Sequence, residues 1–136
     1  MREINKIIVH ASATAPSQDI GVSEIRHWHL GKGWSDVGYH YVIRRDGTRE
    51  YGRDIKIPGA HAKGHNEDSI GICLVGGVTE DGKSDANFTF MQYITLSTII
   101  SEIQGFHGEL EVIGHRDIEG VKKDCPCFNV SAFMEH

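Results

Sequence analysis

Apolar residues cluster in short runs of two different periods along the chain. INKIIVH (4–10) is brief, β-branched and nearly continuous, which predicts a buried strand ending at His10. The small and polar run ASATAPSQDIG reads as a loop. In VSEIRHWHLGKG (22–33), Ile25, Trp28 and other apolar positions recur near helical spacing, and glycines stop the pattern. GYHYVIRRDGTREYGRD (38–54) has two β-rich runs flanking Asp46-Gly47 and predicts a hairpin with a type I′ turn. KIPGAHAKGHNEDS (56–69) is a long polar loop, a kind of segment that often carries function. SIGICLVGG (69–77) predicts a central strand. FTFMQYITLSTIISEIQGF (88–106) predicts the main helix, with Thr89 near its N-cap and Gly105 near its end. ELEVIGHRDI (109–118) predicts a further short strand ending near His115, and a last short helix is expected over 130–135.

The order β-α-β-β-β-α-β-α places the chain in the α/β class, with a central mixed β-sheet flanked by helices. At 136 residues it is expected to form a single domain over 1–136. The formal net charge of −5 argues against a dedicated nucleic-acid binder, whose surface is basic. No stretch approaches the roughly 20 apolar residues of a membrane span, so membrane insertion is not expected. MREINKIIVH lacks a signal-peptide apolar run, so synthesis in the cytoplasm is expected. Three cysteines, an odd number, do not make a disulfide framework. Nine histidines raise the expectation of metal or acid–base chemistry.

Candidate chemistry concentrates at strand ends, where α/β folds often place ligands. His10 closes the first strand, His115 follows the apolar EVIG run, and Cys125 lies in the loop VKKDCPCFNV soon after. Two imidazoles and a thiolate suit Zn2+, and three protein ligands leave a position open for catalysis. Neither CxxC paired with HxxxH nor HExxH is present, so the same residues also admit a cysteine hydrolase, with Cys125 as nucleophile and His10 or His115 as base. His27 and His29, two apart on a helix, face different sides and are not read as ligands. In an extended loop Cys127 would point the same way as Cys125.

IIVHASAT, GWSDVGYHYVIRRDGTREYGRD, HAKGHNEDSIGICLVGG, DANFT and GHRDI with KKDCPCF resemble, in the same order, the zinc-dependent N-acetylmuramoyl-L-alanine amidases of the type-2 amidase family, and its phage branch in particular. The similarity runs from about residue 7 to 133. It implies the fold shared with peptidoglycan-recognition proteins. It also implies hydrolysis of the amide between N-acetylmuramic acid and L-alanine in peptidoglycan, with Zn2+ as cofactor. His10, His115 and Cys125 match the zinc ligands. Tyr39 and Lys123 match catalytic residues, and His61 matches a histidine lining the substrate groove. Many relatives carry glutamate where this chain has Cys73; a thiol is a poor substitute for a carboxylate base. Cys73 is therefore assigned to packing, and so is Cys127, whose counterpart in the phage branch is a small non-ligand residue.

The resemblance further implies a phage or prophage endolysin that reaches the cell wall after release, through a holin or another export route; a monomer is expected. A non-catalytic recognition module would typically have lost a zinc ligand, and all three are kept. The resemblance to the phage branch also raises RNA polymerase inhibition, a second role of one relative there, partly through its N-terminal region. Only nine residues precede His10, so that regulation is not expected here.

Overall fold

The computed structural model describes residues 2–135. Its strands are β1 (Lys6–Ala11), β2 (Tyr41–Ile43), β3 (Arg49–Tyr51), β4 (Ser69–Leu74) and β5 (Glu111–Gly114). Its α-helices are α1 (Val22–Gly31), α2 (Phe90–His107) and α3 (Val130–Met134), and 3-10 turns occupy Asn66–Asp68 and His115–Asp117. The five strands form one mixed sheet in the order β3-β2-β4-β1-β5. β1 sits between β4 and β5, parallel to both, with His10 opposite Cys73 in β4. β2 runs parallel to β4, and β3 closes the edge antiparallel to β2.

Strand alternation divides the sheet into two faces. Ile7, Val9, Ile43, Ile70, Ile72 and Leu74 form one buried cluster with Leu96, Ile99, Ile100 and Ile103 of α2. The opposite face gathers Val42 and Cys73 with Ile25 of α1, Val37 and the partly buried Tyr39. α2 begins as its sequence predicts. Thr89 Oγ1 accepts from Gln92 N (3.2 Å) and Gln92 Oε1 accepts from Thr89 N (2.9 Å), a reciprocal capping box. The buried Gln92 amide also donates to the carbonyls of Ile43 and Val75, fastening the helix start to the ends of β2 and β4.

The hairpin turn and the end of β4 differ from expectation, and the other element ends also have local causes. The β2–β3 connection is not a type I′ turn. Gly47 N donates to Arg44 O (2.9 Å), and of the two residues expected at positive φ only Gly47 adopts it (+91°). That is a type I turn followed by a left-handed glycine, the three-residue hairpin loop. α2 runs through Gly105 to His107, and Gly108 at φ +80° ends it. β5 stops at Gly114 because the Asp117 carboxylate accepts from Gly114 N (2.8 Å) and turns the chain into the 3-10 segment that begins at His115. β4 stops at Leu74, and the following glycines Gly76 and Gly77 take positive φ.

Candidate metal centre

His10 comes from the last part of β1, His115 from the first residue after β5, and Cys125 from the loop beyond. These places are far apart in sequence, and the sheet order makes them neighbours, because β1 and β5 pair side by side. The ligand atoms of His10, His115 and Cys125 all lie within 4.8 Å of one another. His10 Nδ1 is 3.9 Å from Cys125 Sγ. Bond lengths of about 2.3 Å to sulfur and about 2.0 Å to nitrogen set tetrahedral zinc ligands roughly 3.5 Å apart, so His10 Nδ1 and Cys125 Sγ stand a few tenths of an ångström beyond that spacing and no pair of the three exceeds it by more than about 1.3 Å. The donor set is also right in kind. Two imidazoles and a sulfur suit zinc, and three protein ligands leave a site open.

Burial holds the imidazoles neutral. His10 is 2% exposed, and its pKa is pushed well below the usual histidine range by burial, then by His61 and His115. His115 is lowered by burial and by the positive charge of Lys123. Neutral imidazoles are the ligating form. The Cys125 thiol is raised to about 11, chiefly by burial, although Ala11 N donates to its sulfur at 3.1 Å and opposes the rise. A cation bound beside that sulfur would favour the thiolate outright.

The three side chains lie in a cleft of about 650 Å³ whose lining includes Tyr39, His61 and Lys123. Tyr39 packs against His10 with ring centroids 5.1 Å apart, and burial, with the Cys73 and Cys125 thiols beside it, keeps its hydroxyl protonated far above neutral pH. Lys123 is exposed on the loop before Cys125. His61 is 9% exposed, lines the cleft, and has both ring nitrogens within hydrogen-bonding range of protein groups. Burial, then His40 and His115, lowers its pKa to about 3.

Cys73 is buried in the sheet, and burial raises its thiol well above the usual range. Cys127 is not in an extended loop. It has φ +74°, and its thiol donates to Gly77 O at 3.2 Å, apart from the three-residue donor group. Pro126 is buried, follows a cis peptide bond, and packs so closely on Gly114 that a Cβ there would meet its Cδ at 2.8 Å.

Two histidines matter that the sequence pattern did not single out. His29 Nδ1 accepts from Gly38 N (2.8 Å), and its ring lies against Trp34 and Tyr39. It thereby fixes the backbone that presents Tyr39. His40 Nδ1 accepts from Gly71 N (3.0 Å), while its Nε2 donates to Ile57 O (2.8 Å). That pair of bonds ties the loop after β3 to β4. Helical spacing separated buried His29 from exposed His27, but no sequence signal distinguishes a loop-fastening histidine from a solvated one.

An α/β sheet with an open His-His-Cys donor set in a cleft has the form of a metallohydrolase. Residues 1–128 match the Amidase_2 family, described as N-acetylmuramoyl-L-alanine amidase. The chain is 47% identical over 129 residues to the endolysin of Escherichia phage T7, covering 95% of this chain and 84% of that protein. It is 43% identical over 134 residues to the endolysin of Enterobacteria phage K11, covering 98% and 87%. Among solved structures, the N-acetylmuramoyl-L-alanine amidase LysC of Clostridium intestinale URNW superposes with a TM-score of 0.83 at 26% identity, over 98% of this chain and 85% of that one. Drosophila PGRP-LB shares the fold, with a TM-score of 0.79 at 23% identity over 99% and 80%. The chain belongs to the N-acetylmuramoyl-L-alanine amidase family, type 2. It is an enzyme of that activity, acting on cell-wall peptidoglycan.

Proposed function

We propose that the cleft is the active site of a zinc-dependent amidase that cuts the bond between N-acetylmuramic acid and L-alanine, and that the chain serves as an endolysin. The observation that carries this reading is the convergence of His10, His115 and Cys125 at the floor of a cleft that Tyr39 and Lys123 also line. The endolysin relatives support a role in lysis. Among the described residues no helix is long and apolar enough to cross a membrane. Passage to the wall through a separate component such as a holin is part of the same proposal.

When bound, zinc would polarise the scissile carbonyl and lower the pKa of a water molecule towards about 7. The protein supplies the rest. Lys123, a mobile point charge at the rim, is suited to hold the oxygen that becomes negative as the amide carbon turns tetrahedral. Tyr39 keeps its proton, so its hydroxyl can donate to the reacting group and steady the amine as it leaves. Buried His10 and half-buried His115, both held neutral, present lone pairs rather than positive charges, so they do not repel a cation.

The cysteine-hydrolase reading is weakened by the same electrostatics. A thiol nucleophile needs a lowered pKa and a charged histidine partner. Here burial raises the thiol to about 11 and lowers both neighbouring imidazoles. The deciding experiment pairs metal analysis with product analysis on a defined muropeptide. One zinc per chain, loss of activity on chelation, recovery on adding zinc, and release of an intact L-alanine-terminated peptide are expected. Full activity in metal-free protein would overturn the reading.

A further inference from the structure

His10 is engaged on both sides of its ring. Nδ1 faces Cys125 Sγ at 3.9 Å, while Nε2 lies 2.8 Å from Nδ1 of His61. His61 Nε2 lies 3.3 Å from Ser69 Oγ, and Ser69 Oγ is 2.6 Å from the backbone carbonyl of His65. The direction of this chain can be worked out from its far end. A carbonyl oxygen only accepts, and a hydroxyl has a single proton. The Ser69 proton is therefore committed to His65 O, and Ser69 Oγ can only accept from His61 Nε2–H. A neutral imidazole has one N–H, so His61 Nδ1 is a bare acceptor. It takes the Nε2–H of His10. That leaves the lone pair of His10 on Nδ1, the nitrogen facing Cys125.

We infer that His61 is a positioning residue that sets the tautomer and ring orientation of His10, so that Nδ1 is presented to the metal. The inference rests on the zinc reading above. It gives His61 a different task from contacting substrate in the groove: its two nitrogens are spent on His10 and Ser69. The surroundings are built to hold the ring still. His61 N and Ala62 N both donate to Asn66 Oδ1 at 2.9 Å, which locks the turn carrying the side chain. Gly71 leaves room for the ring, since a Cβ there would stand 2.6 Å from His61 Cγ. Partners of this kind fix a ligand's tautomer and raise its basicity, and losing one typically costs about 10–100-fold in metal affinity.

The test uses two replacements of nearly equal shape, His61→Asn and His61→Leu, in the full chain. Asn places an oxygen close to where Nδ1 stood; Leu places a methyl there. Zinc affinity is measured by competition with a chelating indicator, and thermal unfolding of the zinc-free proteins monitors packing. Leu is expected to lose about 10–100-fold in affinity and Asn to keep most of it, with similar melting of the two apoproteins. Nitrogen-15 NMR of the zinc-free wild type is expected to show His10 protonated on Nε2; this needs no variant and stands if Leu fails to fold. Equal losses in Asn and Leu, wild-type affinity in a folded Leu variant, or a His10 proton on Nδ1 would each overturn the inference. A wild-type chain that takes up no zinc would overturn the metal reading itself, whereas a zinc-binding wild type matched by the Leu variant overturns only the role of His61.

Discussion

The two faces of the central sheet are made from alternate residues of the same strands, yet they do different jobs. In β1, Ile7 and Val9 join the apolar cluster under α2, whereas His10 belongs to the cleft. In β4, Ile70, Ile72 and Leu74 enter that cluster, while Gly71 and Cys73 lie beneath His61 and Tyr39 on the other side. The α2 face is apolar and needs little direction, since burial is insensitive to orientation. The cleft face is polar and buried, so every ring nitrogen there needs a partner. The lesson is that strand period lets one set of backbones carry both a stabilising core and a low-tolerance polar site. The two can therefore be perturbed separately.

The largest separation is expected from Cys125→Ala. It should abolish zinc binding and wall hydrolysis while the apoprotein keeps its fold, as judged by metal analysis, turbidity loss of cell walls and circular dichroism. Retained zinc and activity would remove Cys125 from the centre. Lys123→Ala should lower turnover by about 100-fold, the usual cost of one oxyanion donor, with zinc and melting temperature unchanged; wild-type kinetics would remove it from the mechanism.

On the opposite face, Leu96→Ala should destabilise by about 2–5 kcal/mol in denaturant titration and leave the zinc affinity of the folded protein intact. Acid tests the cleft face as a whole in the zinc-free protein. The pKa of His40 is lowered to about 4, mainly by burial, and that of His61 to about 3. Below pH ~6.5 the unfolded chain binds protons that the folded chain refuses, so stability falls as pH drops towards these values and is recovered as pH rises. For His40 alone the full span amounts to about 3 kcal/mol. A melting temperature that stays flat from pH 7 to 5 would contradict it. The smallest effect is expected from Thr89→Ala, about 1 kcal/mol through loss of the α2 cap, with no change in zinc affinity.

Much of this architecture was legible along the chain. β1, β4 and α2 announce themselves because burial on both faces, or along a helix, leaves long apolar runs. Thr89 marks a helix start because the capping chemistry is local. Where the chain ends its elements was less legible. Whether Asp46-Gly47 makes a type I′ turn or a type I turn with a left-handed glycine depends on strand pairing, which the dipeptide does not encode. By contrast, β5 ends next to His115 as its sequence suggests, with the Asp117 carboxylate bonded to Gly114 N. The extended loop expected at Cys127 gives way to a left-handed residue bonded to Gly77, a partner fifty residues away.

The sequence by itself determined the element order, the two-faced sheet and the residue types of the centre, because hydrophobic period and donor chemistry are carried by each residue alone. It placed His10, His115 and Cys125 at the edges of regular structure. Only the tertiary structure decided that these edges meet, since β1 and β5 become neighbours through parallel pairing across more than a hundred residues of chain. It also decided which nitrogen of His10 faces the sulfur. That choice depends on a hydrogen-bond chain running through His61 and Ser69 to a backbone carbonyl, and hydrogen-bond direction is a property of assembled partners.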